Sequence, residues 1–289
     1  MLPMSVSDGL GRAPRWPDLR AFADHAERGG LDSLWVCDHY LSTPDGRPSE
    51  GIHEGWTLVA ALAAATDRVE LGQLVMCTAF RPPALLAKMA ATADLVSGGR
   101  LTLGLGAGWD DEEYGRFGHP TDRRVARFAE SVHVIVALLA GETVTHDGFH
   151  PLRAGVLLPA PERRVPVLVA AGGPRMLRLT ARYADAWNTA WYGVPDDRLA
   201  ERIRRLDRAL AAAGRDPSTL RRTVGLSVRD PAATVHNGDP EDFTGTVDEL
   251  AALLDTYARL GFDDAIVGLE PRTRGSLDRL LYAVRLRLG

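Results

Sequence analysis

Short apolar runs of four to seven residues alternate with longer amphipathic segments along almost the whole 289-residue chain. Runs so short, without the strict apolar and polar alternation of a half-exposed strand, mark strands buried on both faces of a parallel sheet. Strands are predicted at residues 2–6, 33–37, 69–75, 101–105, 167–171, 186–189, 223–228 and 265–269. Between them, helical spacing is read from Trp16-Pro17-Asp18 to Gly29-Gly30 and over 55–66, 82–96, 121–139, 175–183, 196–213, 246–260 and 274–288. Proline at helix starts and glycine at helix ends set these bounds. Residues 143–152, centred on Asp147-Gly148, read as a surface hairpin, and 230–245, with Pro231, Asn237-Gly238 and Asp239-Pro240, as an irregular loop.

Eight strand and helix units in a chain of this length, with no long linker, predict a single TIM (β/α)8 barrel domain over residues 1–289, with short insertions. An open doubly wound sheet is the alternative, and it favours a glycine-rich fingerprint after its first strand. None follows residues 2–6.

The formal net charge of −4 supplies no basic field for nucleic acid or an anionic membrane, so a small-molecule substrate is expected. No apolar window is long enough to span a bilayer, and the first residues lack a signal-peptide pattern, so a cytoplasmic protein is expected. The two cysteines, Cys37 and Cys77, are read as small apolar fillers. No zinc-ligand spacing, calcium-loop pattern or Gly-x-Ser-x-Gly elbow is present, and no metal site is predicted.

Candidate chemistry gathers just after predicted strands, where parallel folds bind ligands. Asp38 and His39 follow the strand at 33–37. His39 suits a proton donor or polarising group because an imidazole titrates near neutral pH, but a histidine there also serves as a loop hydrogen-bonding residue and Asp38 as a cap. Gly104-Leu-Gly-Ala-Gly-Trp109 lets the backbone approach a flat ligand, or packs a strand end closely. Ala170-Ala-Gly-Gly-Pro-Arg175 leaves bare amides at a helix start, the geometry that holds a phosphate, with Arg175 and Arg178 adding charge; a plain turn uses the same residues. His53, Glu54, Glu112, Glu113, Asn188 and His236 also lie near strand ends and receive no role, since loops are polar by default.

These segments, with Ala61–Gly72, Arg81–Thr92, Ala181–Asn188 and Gly214–Pro217, resemble the luciferase-like flavin and deazaflavin oxidoreductases, in order and over nearly the whole chain. The resemblance implies a TIM barrel holding the cofactor ring at its mouth. In the branch that uses coenzyme F420 it places Asp38 at the deazaflavin edge, a non-proline cis peptide at Leu74-Val75 behind the ring, and Met76, Gly106, Ala107 and Gly108 nearby. It sets the amides of Ala171, Gly172 and Gly173 on the phosphate. Trp109 stands where sugar-phosphate dehydrogenases of that branch carry a catalytic Glu, which turns the expectation toward another substrate. The expected activity is hydride transfer between F420 and a small organic molecule, as in reduction of an imine or enone, with His39 catalytic. Alternatives are an FMN-dependent monooxygenase of the same fold and a cofactor-binding barrel without turnover. The resemblance favours a homodimer.

Overall fold

The computed structural model describes residues 1–6, 12–42, 49–232 and 241–288. Seven strands, Ser33–Val36, Glu70–Gln73, Leu101–Gly106, Val167–Ala170, Ala186–Tyr192, Arg221–Arg229 and Asp264–Glu270, pair in parallel in that order. Each is followed by helix, so the sheet curls as a TIM barrel and all strand C-termini share one rim.

The predicted strand at 2–6 is a correction. Pro3 has no N–H to give a ladder, and Ser5 lies in an isolated antiparallel bridge to Ile52. The segment still fills the eighth position: the Met1 amine donates to Val267 O at 2.8 Å and the Leu2 amide to Trp35 O at 2.9 Å, linking the two edge strands. The predicted strand at 69–75 also breaks. Pairing stops at Gln73, the Leu74-Val75 peptide is cis as expected, and a short strand Met76–Cys77 resumes against Leu105 and Gly106.

Other differences lie in the insertions. The acidic run after Trp109 forms a helix, Asp111–Arg116, because the Asp110 carboxylate caps the amides of Glu112 and Glu113, both at 3.0 Å. The long helix therefore starts at Arg124, and the strand from Ala186 extends to Tyr192. The hairpin pairs Val144–His146 with Leu152–Gly155 across a wider connection than Asp147-Gly148, because Glu130 accepts the amides of Phe149 and His150 at 2.9 and 2.6 Å. Of the predicted irregular loop 230–245, residues 233–240 lie outside the described residues, and Phe243–Thr244 departs from it by pairing in parallel with Val228 and Arg229 as a short strand.

Two packing layers follow from strand alternation. Outward residues such as Leu34, Leu71, Leu103, Val169 and Leu226 pack under the helices. Inward residues Trp35, Leu168, Ala186 and Ile266 form a separate cluster with Leu74 and Val75. At the N-terminal end of the strands, Arg221 lies between Glu70, 2.8 Å away, and Asp264. Among the described residues no helix is long and apolar enough to cross a membrane.

Gly104 shows why the strand toward the candidate site lacks side chains. A Cβ there would lie 1.9 Å from the backbone oxygen of Gln73 and 3.5 Å from Val75 Cγ1. Gly104→Ala must displace backbone and is expected to lose about 2 kcal/mol or more of stability. Urea unfolding measures this, and an unchanged midpoint would refute the close-packing reading.

Candidate active site

The loops after three adjacent strands are tied together by two buried carboxylates. Asp38, 5% exposed, accepts both ends of the Arg81 fork, Nη1 to Oδ2 at 2.9 Å and Nη2 to Oδ1 at 3.1 Å, and the Cys77 amide at 2.9 Å. Burial pushes the Asp38 carboxyl up, against the pull of Arg81 and the Cys77 amide. Burial works to lower the Arg81 guanidinium, and Asp38 with Glu54 more than offsets it, so Arg81 is held charged. Arg81 also bonds Glu54, the N-cap of helix Gly55–Ala65, and reaches Met76 Sδ at 2.8 Å.

Glu113, 3% exposed, is the second carboxylate. It reaches back from helix Asp111–Arg116, its Oε1 accepting the amides of Tyr40 and Leu41 at 2.6 and 3.2 Å and its Oε2 lying 3.0 Å from His39 Nδ1. Burial opposes ionisation of Glu113, but the His39 hydrogen bond and charge and the two amides hold it below the usual carboxylate range. His39 loses from burial and gains more from Glu113, so its pKa is raised above 6.5. Its side chain is 28% exposed, and Trp109, 70% exposed, meets the ring edge-on at 5.7 Å between centroids. Tyr40 is wedged between Phe80 and Phe117, with its hydroxyl 3.1 Å from His119 Nε2, which fastens the same two loops.

The glycine run is explained by protein packing. A Cβ on Gly106 would meet Val75 Cγ2 at 2.4 Å, and Gly108, at φ +75°, leaves room for the Tyr114 hydroxyl, which donates to Ala107 O at 2.7 Å. Leu74 and Val75 reach the barrel interior, whereas Met76 is fully buried under the helices with its sulfur against Arg81. Burial raises the Cys77 thiol to about 11, and Tyr114 lies 3.0 Å from its sulfur, so it is an inert filler. Across the rim, Trp191 is 40% exposed and lies where a Cβ on Gly225 would be 2.9 Å from its ring.

On the same rim, Gly173 is the N-cap of helix Pro174–Tyr183. Ala171 is buried, its amide and carbonyl used by Asn188 and Trp187, so it shapes the turn more than it offers a donor. Space around Gly173 is open, and a Cβ on Gly172 would lie 1.7 Å from Arg202 Nη1. Neither Arg202 nor the exposed Arg175 has a hydrogen-bond or ion-pair partner among the described residues. Bare amides with an unneutralised guanidinium beside them fit an anionic group such as a cofactor phosphate.

Sequence reasoning passes over Arg81, Glu113 and Arg202. Arg81 sits in a segment that carries the family resemblance, and Asp110 with Glu113 forms a helix-start pattern, but the partners of each are set by folding alone. Asn188 is buried inside the barrel on Thr223 at 2.8 Å, His53 bonds Pro14 O at 2.6 Å, and His236 lies outside the described residues.

The profile of the luciferase-like monooxygenase family matches residues 1–229, and the chain belongs to that family. It is 34% identical over 230 residues to an F420-dependent glucose-6-phosphate dehydrogenase of Kineococcus radiotolerans, covering 76% of this chain and 66% of the relative. It is 33% identical over 248 residues to a phthiodiolone/phenolphthiodiolone dimycocerosates ketoreductase of Mycobacterium sp. strain JLS, covering 78% and 65%. The chain thus spans about half to two thirds of the length of curated relatives it matches. In fold it is similar to an F420-dependent secondary alcohol dehydrogenase solved with an F420-acetone adduct, at a TM-score of 0.81, 21% identity and coverage of 95% and 96% of the two chains.

The opposite shifts of His39 and Glu113 give their pair a pH window. The raised His39 contributes below its unfolded pKa near 6.5 and loses that as pH rises through its folded value. The lowered Glu113 contributes above its unfolded value near 4.5 and loses it as pH falls through its folded value. His39→Ala should therefore cost about 1 kcal/mol more in urea unfolding at about pH 5.5 than at about pH 9. An equal cost at both would show that the pair carries no charge.

Proposed function

We propose that this protein is a coenzyme F420-dependent oxidoreductase that transfers a hydride between the deazaflavin and a small uncharged organic acceptor of the imine or enone type. The observation that carries this reading is one rim holding both an anion cradle, Gly172, Gly173 and Arg202, and a half-open imidazole, His39. Family membership supports it, as do the F420-dependent relatives and the F420-bound structural neighbour. When bound, the cofactor supplies the hydride and its electron pair.

The residues of this chain would bind, orient and protonate. The amides of Gly172 and Gly173, with Arg202 and Arg175, would hold the cofactor phosphate, and the Leu74–Val75 segment and Gly106–Gly108 would back the ring with apolar surface. Asp38, tied to Arg81, belongs to the ring edge in this reading. His39 would give or take the substrate proton.

Charge on the rim supports an uncharged acceptor. Arg81, Arg198 and Arg229 each hold a carboxylate, Asp38, Glu241 and Asp242. Lys88, the chain's one lysine, bonds Leu158 O on the outer helical layer. Unneutralised guanidinium is left at the phosphate loop, and the exposed aromatics Trp109 and Trp191 offer apolar faces over the mouth. The family resemblance extends the proposal to a homodimer.

Visible absorbance titration with F420 and with FMN tests the cofactor, since the two absorb at different wavelengths. Tight F420 binding is expected; selective FMN binding with oxygen consumption would replace this reading by the monooxygenase one. Gly173→Val has no protein atom within 4 Å of its new Cβ, so it should fold normally. It is expected to weaken F420 at least about tenfold, about 1.4 kcal/mol, and Arg202→Ala to weaken it similarly. Unchanged affinity in both would remove this loop from the site. At saturating F420, His39→Ala should lower kcat roughly a hundredfold with cofactor affinity held within a few-fold. The inverse pattern would make His39 structural.

A further inference from the structure

We propose that Glu113 is a positioning residue for the reaction, holding His39 by Nδ1–H so that Nε2 is the nitrogen that delivers the proton to the acceptor. This rests on the oxidoreductase reading above.

The hydrogen-bond inventory assigns the tautomer. The amides of Tyr40 and Leu41 can only donate, and both fall on Oε1 of Glu113. Two amide donors on one oxygen favour an ionised carboxylate, which has no hydrogen to give, so the contact at Oε2 requires the hydrogen on His39 Nδ1. The same two amides lock the loop that carries the ring. Nε2 makes no protein hydrogen bond among the described residues, and the side chain keeps access to water.

Other charges near the ring are already committed. Asp38 is matched by Arg81, and Asp110 Oδ1 takes the amides of Glu112 and Glu113. Trp109 meets the ring by its edge, and no guanidinium or ammonium touches the imidazole among the described residues. Glu113 is therefore the carboxylate that supports the imidazolium. Its direct contact agrees with the raised pKa of His39 and the lowered one of Glu113.

In the reducing direction the acceptor C=X bond takes a hydride with its electron pair at carbon, supplied by the reduced deazaflavin, which is thereby oxidised. X takes the Nε2 proton: the Nε2–H bond breaks and an X–H bond forms. His39 becomes neutral with its Nδ1–H still on Glu113, and water returns the proton. Glu113 stays a carboxylate throughout and touches neither substrate nor cofactor.

The test reads His39 directly, by NMR titration of the cofactor-free protein with 13C-labelled histidine, His39→Ala identifying its resonance. In the wild type His39 should titrate above the ordinary value, and Glu113→Gln should lower it by about one pH unit or more. The carboxamide in that variant retains a carbonyl for the Tyr40 and Leu41 amides. The high-pH limb of the kcat profile should move down with it, while F420 affinity stays within about threefold. An unchanged His39 titration in folded Glu113→Gln overturns the proposal. Where that variant does not fold, Glu113→Asp, which withdraws the charge by one methylene, is read in the same way, with a smaller shift expected and no shift refuting. A wild-type kcat in His39→Ala overturns proton delivery even if the titration moves. Failure of the wild type to bind F420 removes the oxidoreductase reading and proton delivery with it, and the titration alone still judges the pair.

Discussion

The Asp38–Arg81 pair is the interaction on which the rim depends. A carboxylate buried at the end of a barrel strand is costly unless it is matched, and breaking such a pair leaves an uncompensated charge. Arg81 matches it with both arms of its guanidinium, and the Cys77 amide adds a third donor. Because these groups come from the loops after successive strands, the pair fixes one loop to the next. Glu113 repeats the device one strand further on, reaching back to Tyr40 and Leu41. His39, next to Asp38 in the chain, is held by Glu113 through Nδ1, with Nε2 on no protein hydrogen bond among the described residues.

The same economy of charge shapes what the mouth can take. Most arginines near the rim are bound to acidic partners, so their fields cancel at short range. Among the described residues Arg202 beside Gly172 and the exposed Arg175 are left without such a partner, and both lie at a helix N-terminus whose cap is a bare glycine. One anionic group and one largely apolar partner are the pair of ligands this distribution suits. The aromatic knot of Tyr40, Phe80, Phe117 and His119 braces the side of the mouth nearest His39.

Glycine has two uses in the strand Leu101–Gly106 and its continuation. At Gly104 and Gly106 it lets Gln73 O and Val75 close against the strand, and at Gly108 it turns the chain to seat Tyr114. The role these glycines show is to admit neighbouring protein. Sequence spacing alone could not separate that role from direct ligand approach, because both require a missing Cβ.

The sequence by itself determined the barrel and its rim. Buried-strand runs separated by amphipathic helices specify parallel order, and that order places Asp38, His39, the glycine run and Gly172-Gly173 at one end. It also marked the Gly172-Gly173-Pro174 turn, which is local helix-start chemistry. Tertiary structure alone decided that the first residues complete the barrel through hydrogen bonds from Met1 and Leu2 to the two edge strands, since Pro3 has no N–H for a ladder. It also decided that Met76 is fully buried with its sulfur on Arg81, and that Arg81, Glu113 and Arg202 are the charged groups of the candidate site. Periodicity reports which face of an element a residue occupies. It carries no information on which side chain, 43 residues away for Arg81 or 74 for Glu113, folding brings within hydrogen-bond reach.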